Sequence, residues 1–402
     1  MTSPFAAARI VFEFADYRRT WAIGALTSTA RWLEFVALAI FAYELTHSAE
    51  LVALLAVLRM APYVALGLIV GGLADVVDRR WLLEVSVVVV LTATAAMTAA
   101  AAMSMVGYGL IAAATMLSGA FWTIDMPARR RLMVDAIGPS HMGAGLGFDN
   151  ATMYATRALG PLMGGIVYEV AGLTGVFAVI TACYAGCWVA VRKIGRSAAP
   201  TARGRLSAML PSIALIRNPL IQIAMGITLV FNLWCFPFIT MVPVIAQNDF
   251  ALSHALVGVV TACEGIGGML GALVVGAVVT ERTLFRFYYT GTFVFLVLIA
   301  VMSTLLTVVV AVPLLMVIGA ASAAFSATQY ALIYTLAPPE QRGRATGLLS
   351  IFIGSSLVGH YHAGWLFERL GSVPAMQLMA AEGLGALVLL GLLWWRTSRG
   401  SF

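Results

Sequence analysis

The chain has 402 residues, 61% of them hydrophobic and only 10% charged, with a mean hydropathy of +0.95. Soluble domains carry roughly 25% charged residues, so this composition describes a polytopic membrane protein and excludes the soluble classes. The net charge of +6 is therefore read by position along the chain, not as a footprint for nucleic acid. Cys183, Cys187, Cys235 and Cys263 all fall inside apolar runs without metal-site spacing and read as small core residues.

Residues 1–20, with Phe12, Phe14 and Tyr17 among Arg9, Arg18 and Arg19, read as a short interfacial helix. The first apolar run follows Arg19 and is long enough to span, so no cleavable signal is expected. Apolar spans then run near 21–43, 51–70, 82–103, 106–126, 143–168 and 173–192, and after a polar gap near 219–246, 254–279, 285–308, 310–336, 345–368 and 374–395. Each is about 20 residues or more, enough to cross a hydrocarbon core of roughly 30 Å as helix. The predicted fold is all-α and integral to the membrane: twelve transmembrane helices in two six-helix bundles, 1–192 and 219–402. They are joined by a linker at 193–218 whose part from Leu206 to Ile216 can form a surface helix.

Between spans two and three lies Gly71-Gly72-Leu73-Ala74-Asp75-Val76-Val77-Asp78-Arg79-Arg80, a tight charged turn that belongs at a membrane surface. Asp75 can cap a helix, and Arg79 and Arg80 mark the cytoplasmic side. Apart from Arg192 and Arg286 at span ends, only Arg31, Arg59 and Arg157 among the basic residues lie inside spans, and Arg369 alone lies in a loop of the opposite side. All the others, including Arg129-Arg130-Arg131, Arg342 and Arg344, sit at the termini or in alternate loops, which places both termini and the linker in the cytoplasm.

The halves are related by a shift of 199 residues: Gly160, Gly165, Glu169 and Gly172 fall on Gly359, Gly364, Glu368 and Gly371 without a gap. A parallel repeat of this kind implies two six-helix bundles about an axis along the membrane normal, with a substrate path between them.

An intramembrane charge costs about 2.5–3.5 kcal/mol on insertion scales, so the charges inside spans are expected to pair or to face water. Arg31 and Glu34 share a helix face, and Glu34 can pair with Arg31 or Arg59, either as a structural ion pair or as a group that exchanges a proton. Glu34, Glu264 and Asp149 are the proton-coupling candidates, with Arg31, Arg59 and Arg157 as charge partners. Glu264 lies among Gly265, Gly267, Gly268 and Gly271, a run suited to close helix packing, and Glu382 in span twelve is a weaker candidate. Tyr154, Asn232, Trp234, Phe236, Gln329, Tyr330 and His360 are the candidates for lining a substrate cavity, since aromatic walls with a few amides suit a bulky ligand, although aromatic packing between helices explains part of the set. His360 and His362, at i and i+2, point about 200° apart, so no shared metal ion is expected.

The residues Gly71 to Arg80 resemble the major facilitator superfamily signature between helices two and three, G-x-L-A-D-R-x-G-R-R, with Val76 in place of the first Arg and Asp78 in place of the Gly. Gly160-Pro161-Leu162-Met163-Gly164-Gly165 is similar to the helix-five antiporter motif, G-P-x-x-G-G, with Thr156 where an earlier Gly is frequent. Arg157, Pro127-Ala128-Arg129 and Arg342-Gly343-Arg344 resemble the branch of drug–proton antiporters that includes macrolide efflux pumps and the enterobactin exporter. The resemblance implies a conformational switch at Gly71, Asp75, Arg79 and Asp125, in which Asp125 partners the hairpin arginine and Asp75 faces the start of helix eleven. It also implies that spans two and five line the cavity; of the antiporter-motif residues Gly160, Pro161, Gly164 and Gly165, the last two are expected where span five meets a helix of the other half, with span eight and its own glycines as the candidate.

The function expected is a proton-coupled exporter of a drug-like or siderophore-like organic molecule, working by alternating access as a monomer in the bacterial inner membrane. Its partners are protons, the organic substrate and the bilayer, with no cofactor, metal or nucleic acid. The rivals are an uptake symporter or facilitator on the same fold, and a membrane sensor or enzyme. The last is disfavoured because no nucleophile triad, phosphate loop or metal spacing occurs.

Overall fold

A computed structural model describes residues 4–73, 77–195, 215 and 217–399. The described residues form helices α1 (Pro4–Glu13), α2 (Ala15–Thr46), α3 (Ala49–Leu73), α4 (Arg79–Ala102), α5 (Tyr108–Ile137), α6 (Met142–Arg192), α7 (Pro219–Val230), α8 (Phe236–Asn248), α9 (His254–Val278), α10 (Leu284–Thr304), α11 (Val308–Leu336), α12 (Arg342–Gly354), α13 (Ser356–Leu370) and α14 (Ser372–Arg399). Among them nine are long and apolar enough to cross a membrane, counting α7 and α8 as one. Asp75 and most of the expected linker, including its surface helix, lie outside the described residues.

Helix boundaries follow local chemistry. Asp78 caps α4, its Oδ1 accepting from the amides of Arg80 at 2.8 Å and Trp81 at 3.2 Å, which explains an acid where the superfamily signature has Gly. At 51 residues α6 is roughly 75 Å long, room for two crossings. It breaks at Gly172, whose φ of +59° lies where a side chain would be strained. The repeat-related Gly371 does the same between α13 and α14, with φ +78°. Between α7 and α8 a π turn spans Phe231–Cys235, directly before Pro237. Proline has no N–H and its ring crowds the carbonyl four residues back, so the chain widens by one residue and the Phe236 amide donates to the Phe231 carbonyl.

The chain divides into two compact units. The first comprises Met1–Phe41, Leu58–Gly204 and Ser253–Ala262, so it takes the start of α9 together with α4, α5 and α6. The amino-terminal helix is anchored here: Val11 and Tyr17 are buried against Met133 and Ile137, and Phe12 packs edge-on to Tyr17, Trp21 and Phe148. Tyr17 donates its hydroxyl to the Gly145 carbonyl at 2.9 Å. The expected interfacial helix is thus partly a packing element.

The second unit comprises Ala42–Val57, Arg205–Leu252 and Cys263–Phe402, and so takes the end of α2 and the start of α3. Its core stacks Phe231 on Phe325 at 3.8 Å and Phe325 on Tyr288 at 4.7 Å. The glycine run of α9 meets α11 backbone to backbone: Gly267 faces the Met316 carbonyl, Gly271 faces Ala320, and Gly319 faces the carbonyl of Glu264.

Candidate functional site

In the first unit, Gly119 lies against the backbone of Arg59, where any Cβ would collide. That close approach of α5 to α3 brings Ser118 beside the carboxylate of Glu34, which is only 2% exposed. Glu34 Oε1 pairs with Arg59 Nη2 at 3.2 Å, and Oε2 accepts from Ser118 Oγ at 3.0 Å. Arg59 also donates to the Arg31 carbonyl at 3.4 Å. Of the two arginines open to Glu34 on sequence grounds, Arg59 is the partner. Arg31 instead lies 4.1 Å from the centroid of Trp122 and 5.0 Å from that of Trp32, and Arg157 lies 5.2 Å from Trp32. Ser118 and Trp122 are four residues apart on α5, so they share its face; that spacing was the only signal for either.

A second cluster lies at the arginine-rich end of the unit. Arg129, 3% exposed, bridges Asp125 and Asp149: its Nε lies 3.4 Å from Asp125 Oδ2, and its Nη1 pairs with Asp149 Oδ1. Arg130 Nε holds the other Asp149 oxygen at 2.9 Å and its Nη2 donates to Asn150 at 2.6 Å. Gly24 leaves room for the Arg129 guanidinium. Two acids meet two arginines, so this set is neutral, and Asp149 has both oxygens engaged. The Asp125–Arg79 pair implied by the superfamily resemblance is corrected: Arg79 reaches Asp135 at 3.4 Å, and Arg131 holds the other oxygen of that residue. Asp135 is ten residues, or about 15 Å, further along α5, toward the start of α4. Arg129, not singled out as a charge partner from sequence, is the centre of the network. Gly71 lies in α3.

The antiporter-type motif makes three contacts. Gly160 sits on the Trp32 side chain, Gly164 on the Leu33 backbone of α2, and Gly165 on the backbone of His254 and Gly258 of α9. Pro161 is buried in the same helix. Gly165 and the Pro161 carbonyl, which both lie against Gly258, therefore meet a helix from the other half of the sequence, whereas Gly160 and Gly164 meet α2.

In the second unit Asn232 occupies the π turn and donates to the Thr228 carbonyl at 2.8 Å. Gln329 is buried, and its Nε2 has no hydrogen-bond acceptor among the described residues. Trp234 Nε1 donates to Glu382 Oε2 at 2.7 Å, and His362 Nε2 lies 2.8 Å from the same oxygen. Glu382 thus organises three helices. His360 is buried, its Nδ1 2.6 Å from the Ser356 carbonyl and its ring edge-on to Phe236. Glu264 is buried, Tyr154 half-buried and Tyr330 exposed.

The repeat-related pair Glu169 and Glu368 has equivalent surroundings. Glu169 Oε2 accepts from the Ala255 amide at 3.3 Å and lies 3.3 Å from His254 Nδ1, at the start of α9. Glu368 Oε2 accepts from the Ala49 amide at 2.8 Å and from Ser48 Oγ at 3.1 Å, at the start of α3. Four residues before each glutamate, Gly165 and Gly364 lie against the first turns of the same two helices.

Long apolar helices that bury paired charges along their length fit a multi-pass membrane protein. The chain belongs to the Major Facilitator Superfamily, whose family model matches residues 20–359. Among solved structures it is similar to the nucleoside transporter NupG, at 12% identity over 95% of this chain and 99% of that one, with a TM-score of 0.76. It is also similar to a bacterial homologue of the iron transporter ferroportin in its inward-facing state, at 15% identity over 95% and 98% of the two chains, with a TM-score of 0.68. A bacterial homologue of the lysosomal transporter Spinster, inward-facing and unoccupied, matches at 13% identity over 98% and 95%, also with a TM-score of 0.68. At these identities the likeness is one of fold. No curated protein sequence matches the chain significantly.

Proposed function

We propose that the protein is a proton-coupled exporter of a bulky organic molecule, drug-like or siderophore-like, in the bacterial inner membrane. In this reading it has twelve crossings and cytoplasmic termini, and works by alternating access. The observation that carries the coupling is Glu34, a buried carboxylate held by one arginine and one hydroxyl at membrane depth. A carboxylate so placed can alternate between an ionised form paired with Arg59 and a protonated form released from it, which proton exchange requires. Asp149, with both oxygens on arginines, is the weaker coupling candidate, and Glu264 is next after Glu34. The Gly-Pro-x-x-Gly-Gly motif supports exchange over uptake.

The test is Glu34→Gln in proteoliposomes. The variant keeps the shape and cannot titrate, so it should bind and exchange substrate down a gradient while losing pH-driven accumulation. Full pH-driven transport would remove Glu34 from the coupling step. Counterflow in oriented vesicles, with and without a pH gradient, separates export from uptake.

A further inference from the structure

We propose that Arg31 is the docking point for an anionic group of the transported molecule, so that the substrates are organic anions with a flat or aromatic portion. The proposal deepens the transporter reading and rests on it.

Three observations lead to it. First, Glu34, three residues from Arg31 on α2, is already engaged: Arg59 takes one oxygen and Ser118 the other. Asp125, on the facing helix α5, is held by Arg129. Among the described residues no carboxylate lies within ion-pair distance of Arg31, and Arg31 donates no side-chain hydrogen bond. Arg157 approaches the same Trp32 ring, at 5.2 Å.

Second, a guanidinium does not shed its proton, so a half-buried Arg31 keeps its charge at membrane depth. Contact with aromatic faces offsets part of the cost but supplies no counter-charge. A mobile anion docked on the guanidinium would supply it.

Third, the partners of Arg31 are rings. Trp122 at 4.1 Å and Trp32 at 5.0 Å engage the guanidinium as π systems, which leaves its N–H donors for a planar or tetrahedral oxyanion. The same two indoles offer apolar surface to whatever flat group carries that anion. Carboxylate, sulfonate and phosphate share the recognition chemistry, and only a lysine-like or neutral ligand is rejected by it.

The experiment uses the purified full-length protein and its thermal unfolding in detergent, since a ligand that binds the folded state raises Tm by mass action. The probes are 2-naphthoate and 2-naphthalenesulfonate, their neutral and cationic counterparts 2-naphthamide and 2-naphthylmethylammonium, and inorganic phosphate. The two aromatic anions should raise Tm by several degrees and the other three should not. In Arg31→Gln the rise should vanish while the ligand-free Tm stays at or above that of wild type, because no protein carboxylate loses a partner. Arg31→Lys, which keeps the charge but not the fork, should retain a reduced rise, and it decides the matter if Arg31→Gln does not fold: an undiminished rise there overturns the proposal. So does an equal rise in Arg31→Gln, a larger rise with the ammonium probe, a rise with phosphate as large as with naphthoate, or no rise with either aromatic anion. Binding without a gradient is independent of direction and proton coupling. Failure of the Glu34→Gln test therefore leaves this inference standing, and failure here leaves the coupling reading standing.

Discussion

Glu169 and Glu368 occupy the same position in the two halves of the sequence, 199 residues apart, and each caps the first turn of a helix contributed by the opposite half. The gap-free repeat of glycine and glutamate four residues apart has a mechanical meaning. The glycine lets the helix backbones touch, and the glutamate, one turn on, reaches amides that have no intrahelical acceptor.

Removing a cap of this kind should cost about 1 kcal/mol locally. Glu368→Ala should therefore speed hydrogen exchange at the Ala49 and Glu50 amides by roughly fivefold. Glu169→Ala should do the same at Ala255, with exchange elsewhere in each unit unchanged. If the rates do not move, the two glutamates are spectators at those helix ends.

The neighbouring glycines differ in what they touch. Gly165→Leu would drive a side chain into the α9 backbone at Gly258, and Gly164→Leu into the α2 backbone at Leu33. Overpacking of this sort costs about 1–3 kcal/mol. Both variants should lower Tm, but Gly165→Leu should show the greater loss of substrate turnover for the same loss of stability, because its contact joins segments from different sequence halves. Equal turnover in the two would remove that distinction.

Arg129 is the group on which the buried acid cluster depends. Arg129→Met leaves Asp125 without its partner and Asp149 with Arg130 alone, and breaking a buried pair costs about 3–5 kcal/mol. Thermal unfolding should show a large drop, recovered in part by adding Asp125→Asn. Arg131→Ala, which touches only the more exposed Asp135, should be nearly neutral.

Between α3 and α4 in the sequence, Asp75 and Asp78 are expected to have separable roles. Asp78→Ala deletes the α4 cap and should cost about 0.5–2 kcal/mol of stability. Asp75→Asn should impair transport at near-normal expression, since its expected value lies in the difference between two states. Wild-type transport rates in Asp75→Asn would reduce that residue to an anchor.

Much of the architecture is local and can be read along the chain. Apolar length marks the candidate crossings, Gly172 and Gly371 fall at breaks, and Pro237 falls just after the distortion between α7 and α8. The superfamily signature and the repeat are likewise linear patterns. Which faces meet is not linear. A helix in a soluble protein shows its buried side by alternating apolar and polar residues, but α11 is apolar on nearly every side because lipid and protein interior favour the same side chains, and α5 spreads its polar residues around its axis. Without that periodicity, nothing along the chain says that Ser118 rather than Arg31 takes the free oxygen of Glu34, that Arg79 passes Asp125 for Asp135, or that Glu382 gathers Trp234 and His362. Only tertiary packing decides those pairs, because the cost of an unpaired charge in a low-dielectric interior is settled by whichever donor the neighbouring helices bring within reach.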